Sequence, residues 1–134
     1  MEKLLDTSIN DIKQYSPLTL AFIGDGVFDL LVREYFVSMA NCPAGVLNSQ
    51  KVKVVCCKAQ SEISQKLLPY LTDDEHDVFK RGRNAHVHAP KNQKLADYHA
   101  ATGLESLFGY LYLCGNISRI RELFDIISAD FADI

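Results

Sequence analysis

Apolar residues in this chain recur at helical spacing, and that periodicity restricts the possible fold more than any other feature. Side chains three and four residues apart share one face of a helix, whereas a half-buried strand alternates with period two. Four long segments follow the helical pattern, separated by Pro, Gly and Asn, and no run alternates convincingly. We therefore expect an all-α fold, formed as a single helical domain over residues 1–134.

Start and stop signals place the individual helices. Ser16 followed by Pro17 is a cap and a first-turn proline, and Thr72 to Glu75 forms a capping box. Gly115 is a candidate C-cap. Residues 84–94 lack periodicity and are expected to form an exposed loop. Helices are predicted over roughly 17–39, 47–68, 72–83, 95–114 and 117–129.

Charge and composition narrow the class of function. The net charge of −3 argues against indiscriminate nucleic-acid binding, yet residues 80–94 contain five Lys or Arg, two His and no acid. Such a basic loop on an acidic protein can hold a phosphate backbone. The four cysteines form no Cys-x-x-Cys pair, so we expect neither a zinc site nor a disulfide framework. No signal sequence or membrane-length segment is recognisable, which predicts a cytoplasmic protein without a membrane partner.

Two acids stand in otherwise apolar helices. Asp25 lies between Gly24 and Gly26 in the segment LAFIGDGVFDLLV, and Glu105 lies among small and aromatic residues downstream. Each glycine destabilises a helix by about 1 kcal/mol relative to alanine, so its presence here needs a reason. We therefore expect another backbone to approach closely at these two glycines. A crossing of the two helices would bring both carboxylates together, and such oxygen ligands suit Mg²⁺. The alternative is that each acid is satisfied by a buried Arg, Lys or backbone donor.

Three further polar residues are candidates for the site. Asp29 follows Asp25 by one turn and is interpreted as a residue that supports the metal ligands without binding the ion, the alternative being an acid on the helix surface. His86 and His88 alternate in the polar loop, and we expect them to be solvated or to touch phosphate rather than to bind metal.

Three motifs in order resemble the ribonuclease III endonuclease domain, and the match covers nearly the whole chain. They are LAFIGDGV at 20–27, RGRNA at 81–85 and TGLESLFGYLYL at 102–113. Leu18, Ala21 and Thr102 occupy places where full-length members carry further acids. We also expect no double-stranded RNA-binding domain after residue 134. In both of these departures the chain resembles the short bacterial subclass of the family.

The resemblance implies a homodimer that cleaves double-stranded RNA with Mg²⁺, trimming the precursor of large-subunit (23S) ribosomal RNA. A large-subunit ribosomal protein is an open candidate partner. Asp25 and Glu105 would hold the ion, which polarises the phosphodiester and activates water, leaving 5′-phosphate and 3′-hydroxyl ends. Phe22 and Phe28 are the predicted dimer-interface residues. The predicted RNA-binding residues are Arg83, Asn84, Lys91 and Asn92.

Two other functions stay open. A dimeric RNA- or ribosome-binding module without catalysis would account for the missing acids. A His-Asp metal phosphohydrolase is suggested by His76-Asp77 together with the remaining histidines. The second is weaker, because His76-Asp77 falls in an acidic turn without an apolar setting for a metal. Mg²⁺-dependent cleavage of a long duplex RNA would separate the three functions.

Overall fold

A computed structural model describes residues 3–85, 91 and 93–134. Over these residues the chain forms six α-helices and no strand, so the all-α prediction is confirmed. In the same part of the chain, no helix combines the length and apolar character needed to cross a membrane. The helices are α1 (Pro17–Met39), α2 (Ala44–Val55), α3 (Cys57–Leu67), α4 (Asp73–Arg83), α5 (Leu95–Leu113) and α6 (Ile117–Ser128).

The predicted helix signals are present at three helix ends. Ser16 accepts a hydrogen bond from the backbone N–H of Leu18 at 3.3 Å at the start of α1. The capping box of α4 is complete: Thr72 Oγ1 accepts from the Glu75 N–H, and the Glu75 carboxylate accepts from the Thr72 N–H. Gly115, which follows α5, has a φ of 73°, the left-handed conformation typical of a glycine after a helix.

The helix predicted over 47–68 is wrong in one respect, because the structure divides it at Cys56. The backbone of Cys56 is extended, with φ −68° and ψ 154°, so α2 ends and α3 begins in a new direction. The residues before the break include several valines, whose branched side chains are poor helix formers. The break lets α2 pack on α1 while α3 packs on α5. The periodicity alone carried no sign of it, since no Pro or Gly stands there.

Helix α5 is the centre of the fold. Helices α1, α3, α4 and α6 pack against it, and residues 100–109 in its middle are all buried except Glu105. The rings of Phe28 and Phe108 meet edge to face in the core, with centroids 5.5 Å apart. The apolar stripe predicted for the last helix is buried as expected. Its members are Ile120, Leu123, Phe124 and Ile127.

Helices α1 and α5 cross backbone to backbone at two glycines. A Cβ on Gly24 would overlap the carbonyl oxygen of Glu105 and lie 2.8 Å from the backbone nitrogen of Gly109. A Cβ on Gly109 would likewise overlap the carbonyl oxygen of Leu20. No side chain fits at either position. Around Gly26 nothing lies within 4 Å of the Cβ position, so the predicted close approach holds for Gly24 and is wrong for Gly26.

A largely buried ion pair ties the start of α4 to α6. Arg119 donates from Nε to one carboxylate oxygen of Glu75 at 2.8 Å, and from Nη2 to the other at 2.9 Å. The same Nη2 donates to the carbonyl of Tyr70 at 2.6 Å. Burial raises the pKa of Glu75, but hydrogen bonds from Arg119 and Thr72 outweigh it, and the pKa lies below its usual value. The pair therefore holds Glu75 charged in a site that is 6% exposed.

Candidate active site

The crossing of α1 and α5 brings Asp25 and Glu105 together. Asp25 directly follows the crossing residue Gly24, and Glu105 precedes Gly109 by one helical turn. Their carboxyl groups lie within hydrogen-bonding distance of each other. Asp25 is exposed, whereas Glu105 is partly buried. The site is therefore a pair of carboxyl groups at the edge of the core, open to solvent on the Asp25 side.

The electrostatics of this pair favour binding of a cation. Burial raises the pKa of Glu105, the charge of Asp25 and the hydrogen bond between them raise it further, and the pKa reaches about 8. Below that pH Glu105 keeps its proton, because a second negative charge beside Asp25 in a partly buried site is unfavourable without compensation. A divalent cation can take the place of the proton. Two carboxylates are the hard oxygen donors that Mg²⁺ accepts, with water and phosphate oxygens completing its shell.

The described residues offer no richer metal site than this pair. Within 3–85, 91 and 93–134, no group of three or more His, Cys, Asp or Glu is placed to hold an ion. His76 and Asp77, which suggested a phosphohydrolase, are both exposed on α4. Among the described residues, the geometry therefore favours the pair of carboxyl groups as the candidate site.

One residue of α3 that the sequence analysis missed also lies at the site. Gln60 is 2% exposed, and its side chain lies within hydrogen-bonding reach of the Glu105 carboxyl group, whose pKa it lowers. Elsewhere on α3, burial raises the pKa of the Cys57 thiol, and the charge of Glu105 raises it further. The signal that could have revealed Gln60 is a lone amide on the apolar face of α3, three residues before Ile63 and seven before Leu67.

Asp29 makes its contacts with basic residues. It forms ion pairs with Arg33 and with Lys51, whose Nζ lies 3.3 Å from Asp29 Oδ1. Burial raises the pKa of Asp29, but the hydrogen bonds from Arg33 and Lys51 lower it more, and the net pKa is below the usual value. Since Lys51 belongs to α2, these contacts join α1 to α2. The supporting role of Asp29 at the metal site stays a prediction.

The basic loop begins at the end of α4. Arg83 is half-buried, with its guanidinium 5.8 Å from the centre of the Phe79 ring, and Asn84 and Lys91 are exposed. Arg81 points elsewhere, since it donates hydrogen bonds to main-chain carbonyls before α1. Three of the residues discussed above lie outside the described residues, namely His86, His88 and Asn92.

The two predicted interface residues occupy opposite environments. Phe28 is 1% exposed and packs in the core against Phe108 and Phe124, so it cannot contact a partner, and its assignment to an interface is corrected. Phe22 is 85% exposed. Near it, α1 and α6 enclose a groove of about 610 Å³, lined largely by apolar side chains such as Leu30. An exposed ring and an apolar groove thus share helix α1.

Comparison with known proteins shows the class of protein to which this fold belongs. Residues 18–116 match the family model described as the Ribonuclease III domain, so the chain belongs to the ribonuclease III domain family and is an endoribonuclease of that type. The resemblance of the three motifs is thereby confirmed.

Within that family the similarity is to short members named Mini-ribonuclease 3. The protein of Symbiobacterium thermophilum is 42% identical over 118 residues, covering 87% of this chain and 90% of the relative. That of Thermoanaerobacter sp. (strain X514) is 40% identical over 112 residues, covering 83% and 79%. The crystal structure of protein FN1578 from Fusobacterium nucleatum superposes with a TM-score of 0.81 at 30% identity, covering 89% of this chain and 98% of that one.

Proposed function

We propose that this endoribonuclease cleaves double-stranded RNA with Mg²⁺, leaving 5′-phosphate and 3′-hydroxyl ends, and that it acts in the cytoplasm. The observation that carries the proposal is the pairing of Asp25 and Glu105 at the α1–α5 crossing of a ribonuclease III domain. Glu105, whose raised pKa keeps it protonated at neutral pH, can exchange that proton for a divalent ion held by the pair.

The two acidic residues have different roles that follow from their exposure to solvent. Asp25 and Glu105 would hold Mg²⁺, which when bound polarises the scissile phosphodiester and lowers the pKa of an attacking water. Asp25, on the exposed side, faces incoming substrate, while Glu105 is anchored deeper in the core. The glycine crossing fixes the distance between the two helices and hence between the two carboxyl groups. Neither carboxylate needs to act as the nucleophile.

Charge-neutral variants test this assignment. Asp25→Asn and Glu105→Gln should each lower the cleavage rate of a long duplex RNA at least roughly a hundredfold, because each removes one charged ligand. Far-UV circular dichroism and duplex binding should change little. Glu62→Gln, which alters an exposed acid on α3, serves as the matched control and should cleave at the wild-type rate. Wild-type cleavage by either site variant would refute the assignment.

A second candidate function, a non-catalytic RNA- or ribosome-binding module, is favoured by one observation. Thr102 stands where full-length enzymes carry an acid, and its hydroxyl is used in a hydrogen bond to the carbonyl of Tyr98 at 3.0 Å. The pair of acids thus lacks a third at that place. The same assay decides between the functions, since duplex binding without cleavage by the wild-type protein in Mg²⁺ would establish the module.

For the RNA contacts we propose the basic loop, with Arg83, Asn84, Lys91 and Asn92. Duplex RNA is recognised through phosphates and 2′-hydroxyls, for which these side chains are suited. Replacing Arg83 and Lys91 by Ala on the Asp25→Asn background should weaken binding at every sequence. The slope of log affinity against log salt should fall by roughly one per lost phosphate contact. An unchanged slope, equal to that of the control Lys66→Ala, would exclude the loop.

We also propose a symmetric homodimer. The apolar groove and the exposed ring of Phe22 lie on one chain, and two-fold pairing would cover both on each copy. Duplex cleavage also needs two sites that face opposite strands. Phe22→Glu should shift sedimentation toward the monomer at a protomer concentration where the wild type is dimeric. A wild-type monomer with full activity would contradict the proposal.

The natural substrate that we propose, the 23S ribosomal RNA precursor, comes from the family resemblance. Cells depleted of the protein should accumulate precursor with extended ends, and purified protein should trim it in vitro. A large-subunit ribosomal protein stays a candidate partner, tested by adding that protein to the trimming reaction. Mature ends that form normally after depletion would remove this substrate while leaving the activity on duplex RNA intact.

A further inference from the structure

Helix α3 buries an amide side chain, Gln60, at the level of the carboxylate pair. A buried amide costs free energy unless its hydrogen bonds are satisfied, so an apolar residue would be the cheaper choice here. Gln60 is 2% exposed, and its neighbour on the same face, Leu67, is fully buried. The burial of an amide at this position therefore calls for a specific partner.

The packing of α3 on α5 fixes what that partner is. Ser64 Oγ donates a hydrogen bond to the carbonyl of Ala100 at 3.4 Å, which sets the register of the two helices. Gln60 lies one turn before Ser64, and Glu105 lies just over one turn after Ala100, so the two side chains meet. The Gln60 side chain lies within hydrogen-bonding reach of the Glu105 carboxyl group. Glu105 thus lies close to both Asp25 and Gln60.

We propose that Gln60 is a positioning residue whose side-chain amide holds the Glu105 carboxyl group in the orientation that faces Asp25. A glutamate has three rotatable bonds, and a free one would sample orientations in which its oxygens point away from the Asp25 carboxylate. The amide nitrogen donates to one carboxylate oxygen and leaves the other for the ion. Partners that orient a ligand in this way typically change metal affinity or activity 10- to 100-fold when removed.

The inference rests on the proposed metal site and is tested by metal binding as well as by cleavage. Gln60→Met keeps the length and much of the volume of the side chain but cannot donate a hydrogen bond. We expect it to weaken Mn²⁺ binding roughly 10- to 100-fold, measured as free ion by electron paramagnetic resonance. Cleavage at limiting Mg²⁺ should fall by a similar factor and recover at high Mg²⁺, while KM for duplex RNA stays unchanged. Wild-type Mn²⁺ affinity in this variant would overturn the inference.

Ser64→Ala is the matched control, because it removes another hydrogen bond between α3 and α5 without touching Glu105. It should lower the free energy of unfolding and leave Mn²⁺ affinity unchanged. Equal loss of Mn²⁺ affinity in both variants would show that Gln60 acts only through helix packing, which also overturns the inference. Should Gln60→Met fail to fold, Gln60→Asn, whose amide is too short to reach, takes its place in the same measurement.

Glu105→Gln separates the failure of this inference from that of the proposed function. If Glu105→Gln binds Mn²⁺ as tightly as the wild type, Glu105 is not a ligand and the proposed site itself fails. If Glu105→Gln loses the ion while Gln60→Met keeps wild-type affinity, the metal site stands and only the role of Gln60 is refuted.

Discussion

Replacing Gly24 by Ala should cost both stability and activity, because the α1–α5 crossing has no room for a methyl group. A Cβ at that position would lie 2.6 Å from the carbonyl carbon of Glu105 and 2.8 Å from the nitrogen of Gly109, where ordinary contact begins at 3.4 Å. All of these atoms belong to the backbone, so no side chain can turn aside. Because the Cβ would also overlap the carbonyl oxygen of Glu105, the two helices would have to separate by at least about 1 Å.

The size of the effect follows from that displacement. Overpacking a close-packed core costs about 1–3 kcal/mol, and a clash with backbone belongs at the upper end. The better helix propensity of Ala returns up to about 1 kcal/mol, which leaves a net loss of about 2 kcal/mol. For a chain of this length that loss lowers the melting temperature by roughly 8 °C. Moving Asp25 about 1 Å relative to Glu105 should also reduce cleavage about a hundredfold.

The assay is urea and thermal unfolding at one protomer concentration, together with duplex cleavage well below the melting temperature. Gly45→Ala is the control, since Gly45 lies in α2 with nothing within 4 Å of its Cβ position, and it should be neutral or slightly stabilising. Gly26 has similar space but lines the groove proposed as the subunit interface. A Gly24→Ala protein within about 0.5 kcal/mol of wild type and fully active would refute the account of the crossing.

Two further predictions concern buried acids. In the folded protein the pKa of Glu105 is about 8, whereas in the unfolded chain it is near 4.5. In EDTA, the free energy of unfolding should therefore fall as the pH rises between these two values, by at most about 1.4 kcal/mol per pH unit. Glu105→Gln should abolish the slope, and calorimetry in two buffers should show that Mg²⁺ binding at pH 7 releases close to one proton. Arg119→Ala should lower the free energy of unfolding in urea by about 3 kcal/mol, because it leaves the buried charge of Glu75 without a partner. Replacing both Arg119 and Glu75 by Met should lower it far less. Equal losses in the two variants would contradict the ion-pair account.

The sequence allowed Asp25 and Glu105 to be predicted because both stand beside small residues on apolar helices. Periodicity reveals such positions, and two matched ones imply a crossing. It does not reveal orientation where a helix is apolar on every side, which is why Phe28 was assigned to an interface although it points into the core. The break at Cys56 was not predicted for a related reason, since the residues on each side of it keep a helical pattern.

Side-chain pairs between helices that are far apart in the chain could not be predicted from the sequence, for a different reason. The contacts of Gln60 with Glu105, and of Arg119 with Glu75, depend on how α3, α4 and α6 dock on their neighbours. Each of these side chains, taken alone, is compatible with a solvated surface position. Only the docked register of the helices converts a polar residue into one half of a buried pair.

The central place of α5 has a consequence for how the chain folds as it is synthesised. Gly24 and Gly109 are 85 residues apart, so closing the crossing costs about 4 kcal/mol of loop entropy before any contact repays it. Between the last residue of α1 and the last of α5 the ribosome adds 74 residues, which at ordinary elongation rates takes roughly 4–15 s. During that interval α2 and α4 can pack on α1, but the apolar face of α1 that packs on α5 has no partner within its own chain. Nascent copies are therefore open to chaperone capture and to mispairing with one another until α5 emerges.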